Sequence, residues 1–286
     1  MDFEQRHAII TGGSSGIGKA TACRLASLGA QITIIARNPN QLALAVQDIE
    51  AARATPQQQV IGLSADVADH LALSQAINDA IAQIGPPDLL ITAAGIAHPG
   101  YFGDIGLDVF ERTMAVNYFG SLYALKTVLP IMQKRHQGHL VLLSSGAGLI
   151  GLFGYTPYSP SKFALRGLAE SLRGELRHSG VGLSIVYPPD TDTPQLQAEN
   201  RTKPQETKAI TATAALWSAE QVAQTIIKGI QRQQFVITPG VEMTLLAKLH
   251  SILAPALNGY FDRIVARTQA KMLTADAATP PHINPP

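Results

Sequence analysis

Tyr158 and Lys162 stand four residues apart at the start of a helical pattern, so both project from one face. A free phenol titrates at about 10 and is a poor acid–base group at neutral pH. A neighbouring ammonium favours the phenolate and is expected to lower that value. Ser145 ends an apolar run thirteen residues upstream, where its hydroxyl can bond a substrate oxygen. Ser144 adjoins it and takes that role if the strand register differs by one. Asn117 carries an amide that can hold a water or a backbone carbonyl. Taken singly, the Tyr-x-x-x-Lys spacing is common and reads as a surface pair.

A second set of residues suits a dinucleotide. The run TGGSSGIGK (11–19) follows a β-branched segment and opens a helical one. Gly12, Gly16 and Gly18 let backbone N–H groups approach a pyrophosphate at a helix N-terminus, with Ile17 between the last two. The spacing is not that of a Walker A loop. The second apolar run ends in Ala36-Arg37-Asn38, with no acidic residue for a ribose 2′-hydroxyl. Arg37 is a guanidinium suited to a 2′-phosphate, and Ser14 and Ser15 add hydroxyls nearby. The expected cofactor is therefore NADPH/NADP+. Asp66, followed by Val67, ends the third run. It can accept from an adenine amino group, or instead form an Asx turn.

These groups need a scaffold. Apolar runs at 7–11, 31–37, 60–67, 88–95, 139–145, 182–189 and 235–240 read as strands. Helical patterns separate them: 16–28 before Gly29, one opened by Asn38-Pro39, one capped by Asp69, 108–136, 157–179 before Gly180, and 219–232 with a Ser218/Gln221 capping box. Strands alternating with helices predict an α/β, doubly wound (Rossmann) parallel seven-stranded sheet in one domain, 1–272. Segment 190–217 shows no clear element and reads as a lid. Glu199, Arg201, Lys203, Glu206 and Lys208 suit its exposed surface. Segment 241–272 reads as C-terminal helices, and the Pro-rich 273–286 as a disordered tail.

Composition narrows the function. The 286 residues carry 22 Lys plus Arg against 21 Asp plus Glu, a net charge of +1 that excludes a basic nucleic-acid binder. Apolar residues make up 46%, so a core forms. The single cysteine, Cys23, excludes an intrachain disulfide and a CxxC metal site, and no metal is expected. No secretory signal or spanning helix is read, which fits the cytoplasm.

The glycine-rich turn, Asn117, Ser145, Tyr158 and Lys162, in that order and spacing, resemble the short-chain dehydrogenase/reductase family over about 5–240. The resemblance implies an NAD(P)-dependent oxidoreductase with an Asn-Ser-Tyr-Lys tetrad. Tyr158 would give a proton to a carbonyl oxygen, and Lys162 would lower its pKa and hold the nicotinamide ribose. Ser145 would orient substrate, and Asn117 would support a proton relay. Two features depart from the pattern. Thr92-Ala93-Ala94-Gly95 stands where the family has Asn-Asn-Ala-Gly or Asn-Cys-Ala-Gly, leaving Gly95 and its neighbours to meet the cofactor by backbone, or through Thr92. Pro160 lies between Tyr158 and Lys162, which a first helical turn tolerates.

Pro188-Pro189-Asp190 and the run to Thr207, with 151–172, resemble the family's branch of 3-ketodihydrosphingosine reductases. That implies reduction of a long-chain 3-keto base to sphinganine with NADPH. Gln41 replaces a lysine which that branch uses on the 2′-phosphate. Thr191 and Thr193 can bond the nicotinamide carboxamide and pyrophosphate. The eukaryotic members carry an N-terminal membrane segment not seen here, so a soluble or peripheral protein is expected. Other readings are a reductase of a ketoacyl, steroid or retinoid carbonyl, and a non-catalytic NADPH sensor. The apolar positions of 241–261, with Lys248 and His250 toward headgroups, predict peripheral membrane contact; a dimer interface or core packing is the alternative. A homodimer or homotetramer is left open.

Overall fold

The computed structural model describes residues 2–212 and 215–278. The elements run β1 (His7–Thr11), α1 (Gly16–Ala26), β2 (Gln31–Ala36), α2 (Pro39–Ala51), β3 (Val60–Ser64), α3 (His70–Ile84) and β4 (Leu89–Thr92). They continue through α4 (Leu107–Met114), α5 (Gly120–Arg135), β5 (Gly138–Leu143), α6 (Tyr158–Glu175), β6 (Val181–Val186), β7 (Thr191–Asp192), α7 (Pro194–Thr202) and α8 (Gln205–Thr211). The last are β8 (Trp217–Ser218), α9 (Ala219–Gln231), β9 (Val236–Ile237) and α10 (Val241–Ala278).

Seven strands form one parallel sheet in the order β3-β2-β1-β4-β5-β6-β9. This is the expected doubly wound α/β fold. The central strands alternate their side chains between two cores. Ile9, Ile35, Leu90, Leu140 and Leu142 face one core with Leu73 and Ile77 of α3, Val128 of α5 and Leu165 of α6. Ile10, Ile32, Ile34, Ile91 and Val141 face the other, with Leu25 of α1, Ile49 of α2 and Ile226 of α9. The order reverses between β1 and β4, which opens a crevice beyond their carboxyl ends.

The helix boundaries follow local chemistry. Asn38 and Asp69 accept first-turn N–H groups through their side chains. Ser218 and Gln221 form both halves of a capping box. Gly29 and Gly180 take the left-handed backbone that ends α1 and precedes β6.

Four expectations change. The helix expected over 108–136 is two α segments joined by a π-helical stretch, Ala115–Phe119, which contains Asn117. Such bulges recur at functional sites because they re-aim one side chain. Segment 190–217 is not irregular. Thr193 caps α7 by accepting from the Leu196 N–H, Pro194 takes the first helical position, α8 follows, and β7 pairs with β8. Thr213 and Ala214 of that segment lie outside the described residues. The region after β9 is one helix reaching Ala278, so 273–278 is helical; the remainder of the expected tail, 279–286, lies outside the described residues. The seventh strand shrinks from 235–240 to two residues.

Candidate active site

A cleft of about 320 Å³ runs along the carboxyl ends of the central strands. Its floor at one end is the glycine turn. Gly12 has φ +70, and a Cβ there would stand 2.5 Å from the Ala94 nitrogen, so only glycine lets the two turns touch. A Cβ on Gly18 would overlap the Gly12 carbonyl, which locks α1 against the turn. Ser15 occupies the N-cap of α1 in extended backbone, but its side chain caps nothing, and no acidic residue lies in the first turn. The helix therefore presents first-turn N–H groups and its positive end to the cleft, the requirement for a pyrophosphate. Ser14, Ser15, Gly16 and Ile17 line it, with Arg37 and Gln41 where β2 ends. Arg37 is exposed and, among the described residues, has no carboxylate within 4.0 Å. A free guanidinium and open N–H groups fit a phosphorylated dinucleotide.

Asp66 does not line this cleft, though Ala65 and Val67 do. One carboxylate oxygen accepts from Arg112 at 2.6 Å and the other from the Ala68 N–H at 3.0 Å. The Asx turn is formed, and Arg112 takes the second carboxylate oxygen. Beyond β4, Ala93, Ala94 and Gly95 line the cleft by backbone, while the Thr92 hydroxyl is buried against the Val141 carbonyl.

Asn117 is fully buried and braces that backbone instead of facing the cleft. Its Oδ1 accepts from the Ile96 N–H at 2.8 Å, and its Nδ2 donates to the Ile96 carbonyl and to Ser161 Oγ, each at 2.9 Å. These bonds fix Gly95–Ile96 to the first turn of α6.

The end of β5 separates the two serines. Ser144 Oγ donates to the Lys162 carbonyl at 3.0 Å and is buried, so it ties β5 to α6. Ser145 and Gln195 line the cleft with Tyr158, and both side chains act to lower the phenol's pKa. The serine facing the phenol is therefore Ser145.

Lys162 was expected to depress the Tyr158 pKa. Instead, burial pushes the phenol well above its ordinary value, and the Glu199 carboxylate adds to the rise. Lys162 donates to the Leu143 carbonyl at 2.9 Å and stands 5.5 Å from the Tyr158 ring centroid. It is itself desolvated, with a pKa lowered to about 8. Tyr158 is thus neutral at pH 7, the form that can give a proton to a developing alkoxide.

The lid closes the other wall. Thr191 and Thr193 both line the cleft, and Thr193 Cγ2 packs against Gly16. The Thr191 hydroxyl donates to the Pro189 carbonyl at 2.8 Å. Three of the charges expected on the lid surface are buried: Glu199, Lys203 and Glu206, at 7%, 6% and 1% exposure. α7 turns Glu199 inward, where Oε2 accepts from the Tyr155 hydroxyl at 2.6 Å and Oε1 from the Gln195 amide at 2.8 Å. Glu206 accepts from Tyr101 and Gln269, tying α8 to α10. Tyr155, Gln195 and Glu199 line the cleft and were missed. The signal was the Thr193-Pro194 cap, which starts a helix with positions 195 and 199 on one face.

The short chain dehydrogenase family model matches residues 6–204. The 3-ketodihydrosphingosine reductase of Bos taurus is 43% identical over 87% of this chain and 75% of its own length. That of Dictyostelium discoideum is 40% identical over 91% and 82%. The solved structure of a short chain dehydrogenase/reductase from Burkholderia phymatum in complex with NAD superposes with a TM-score of 0.76 at 26% identity, covering 87% of this chain and 93% of that one. Levodione reductase shares the fold, with a TM-score of 0.75 at 22% identity over 82% and 96%. With a family model over residues 6–204 and relatives at 40–43% identity over most of its length, the chain belongs to the short-chain dehydrogenase/reductase family of nicotinamide-dependent oxidoreductases.

Proposed function

We propose that the protein reduces the ketone of a long-chain 3-keto sphingoid base, 3-ketosphinganine, to the secondary alcohol of sphinganine, with NADPH. The observation that carries the chemistry is that the buried Tyr158 phenol, Ser145 and Lys162 line the same cleft as Arg37. The substrate class is supported by relatives at 40–43% identity that bear that enzyme's name.

The turn Gly12–Gly18 and the amides of α1 hold the pyrophosphate, and Arg37 holds the 2′-phosphate. Val67, Gly95, Thr191 and Thr193 line the remainder of the dinucleotide path. When bound, the cofactor supplies a hydride to the ketone carbon. Ser145 donates a hydrogen bond to the carbonyl oxygen, and Tyr158 gives that oxygen its proton. Lys162 anchors α6 to β5 and offers its ammonium to the cofactor ribose. Asn117 positions the Gly95 backbone. Incubating the protein with NADPH and a panel of ketones tests the reading. It expects 3-ketosphinganine to be consumed faster than ketoacyl, steroid or retinoid carbonyls; equal or greater rates on one of those would replace the substrate.

Such a ketone partitions into bilayers, so this reading has the enzyme working in the cytoplasm at a membrane surface. No helix among the described residues is long and apolar enough to cross a membrane. In α10, Met243, Leu246 and Ala247 pack on the core beside Gly146, which leaves Val241, Leu245, Leu249 and Ile252 exposed on the other side. His250 is half-buried and is not free to meet headgroups, whereas Lys248 is exposed. The exposed row would lie on the bilayer. Liposome co-sedimentation should fall on changing Leu245→Glu and Leu249→Glu together; unchanged sedimentation rules out this docking face.

A further inference from the structure

Glu199 is a carboxylate at 7% exposure with no cationic nitrogen of the described residues within 4.0 Å, although the Lys162 ammonium is near enough to feel its charge. Its two oxygens accept from Tyr155 and Gln195, both neutral. None of the ion pairs among the described residues involves it. The Lys162 ammonium is engaged by the Leu143 carbonyl. Burying a charge without an ion-pair partner is costly, so a cation that reaches it in the cleft is held strongly. Glu206 is also buried among neutral donors, but it sits between α8 and α10 and does not reach the cleft. Glu199 lines it.

Its position in the cleft is set by two side chains. The Gln195 amide donates to Glu199 Oε1 at 2.8 Å and also acts on the Tyr158 hydroxyl. The Tyr155 ring, whose hydroxyl holds Oε2, stands 5.6 Å from the Tyr158 ring. The carboxylate is therefore one amide away from the group that protonates the ketone.

We propose that Glu199 is the counter-ion for a substrate ammonium on the carbon next to the ketone, and so selects α-amino ketones over plain ketones. This rests on the reading above, since 3-ketosphinganine carries its amine on that carbon. Tyr155 and Gln195 orient the carboxylate; removing the ammonium from the substrate leaves it buried and unpaired. Losing one partner of such a desolvated pair costs much more than a surface pair does.

The test compares kcat/KM for 3-ketosphinganine and for its analogue lacking the 2-amino group, in wild type and in Glu199→Gln. The wild-type ratio should exceed about 30 and fall toward about 1 in the variant. A wild type active on both ketones without preference, or an unchanged ratio in the variant, overturns the proposal while leaving the ketone-reductase reading intact. Inactivity of the wild type on both ketones removes that reading and this proposal together. Wild type alone gives a second measurement should the variant fail to fold. Sphinganine should compete with the ketone about tenfold or more better than octadecane-1,3-diol; equal competition overturns the ammonium site.

Discussion

Lys162 donates to the Leu143 carbonyl across 2.9 Å while its ammonium lies 5.5 Å from the centroid of the Tyr158 ring. One residue thus joins the first turn of α6 to the end of β5 and keeps a charge beside the phenol. With Ser144 donating back to the Lys162 carbonyl, the Tyr158 face is fixed by two hydrogen bonds from opposite sides.

Replacing Tyr158 by Phe removes the proton donor and little else. Turnover should fall by at least ~10², the lower bound for general acid catalysis, while NADPH binding persists. Steady-state kinetics with a fluorescence titration of NADPH check both halves. A near-wild-type rate would remove Tyr158 from the mechanism.

The lowered pKa of Lys162, about 8, arises from burial and acts against its charged form. The protonated amine is the form that carries charge toward the phenol and ribose, so it dominates below pH ~8 and is lost above it. kcat/KM for NADPH, which reports the free enzyme, should therefore bend downward near that pH. The bend should disappear in Lys162→Met, whose remaining activity is low at every pH.

Arg37→Asp places a carboxylate where the 2′-phosphate is expected. NADPH should weaken by about 10²-fold through lost hydrogen bonds and repulsion. NADH should change far less. Binding isotherms for both cofactors decide it. Equal use of the two by wild type would contradict the role given to Arg37.

Asn117→Ala strips both the part-buried Ile96 N–H and carbonyl of their side-chain partner. Leaving such groups unsatisfied costs about 2–4 kcal/mol. Urea unfolding should show that loss, with NADPH affinity falling because the Gly95 backbone is released. A variant of unchanged stability would show that Asn117 is not the brace of this turn.

Most of the frame was legible because it is written in local chemistry. Asn38-Pro39, Asp69 and Ser218/Gln221 announce helix starts through groups within three residues of one another. The β-branched runs separated by helices left few topologies other than the doubly wound one. Ser145, Tyr158 and Lys162 were likewise legible from order and spacing. The missed parts depend on distant partners. Glu199 looks like a solvated charge in sequence, and only its meeting with Tyr155, 44 residues away in the chain, turns it inward. The Asp66 carboxylate reads in sequence as an adenine partner or an Asx turn, and its ion pair with Arg112, 46 residues on, is invisible there. The rise in the Tyr158 pKa has the same origin, since it comes from burial and from Glu199 across the cleft. Pairings of this kind follow from tertiary packing, which no local pattern encodes.

The most direct test of the whole account is to follow the atoms. The protein is incubated with 3-ketosphinganine and NADPH deuterated at the transferable nicotinamide position, and the product is analysed by mass spectrometry. The account predicts sphinganine carrying one deuterium on C3, formed in equal amount to the NADPH consumed and strongly reduced in Tyr158→Phe. No sphinganine, or sphinganine without deuterium on C3, would contradict it.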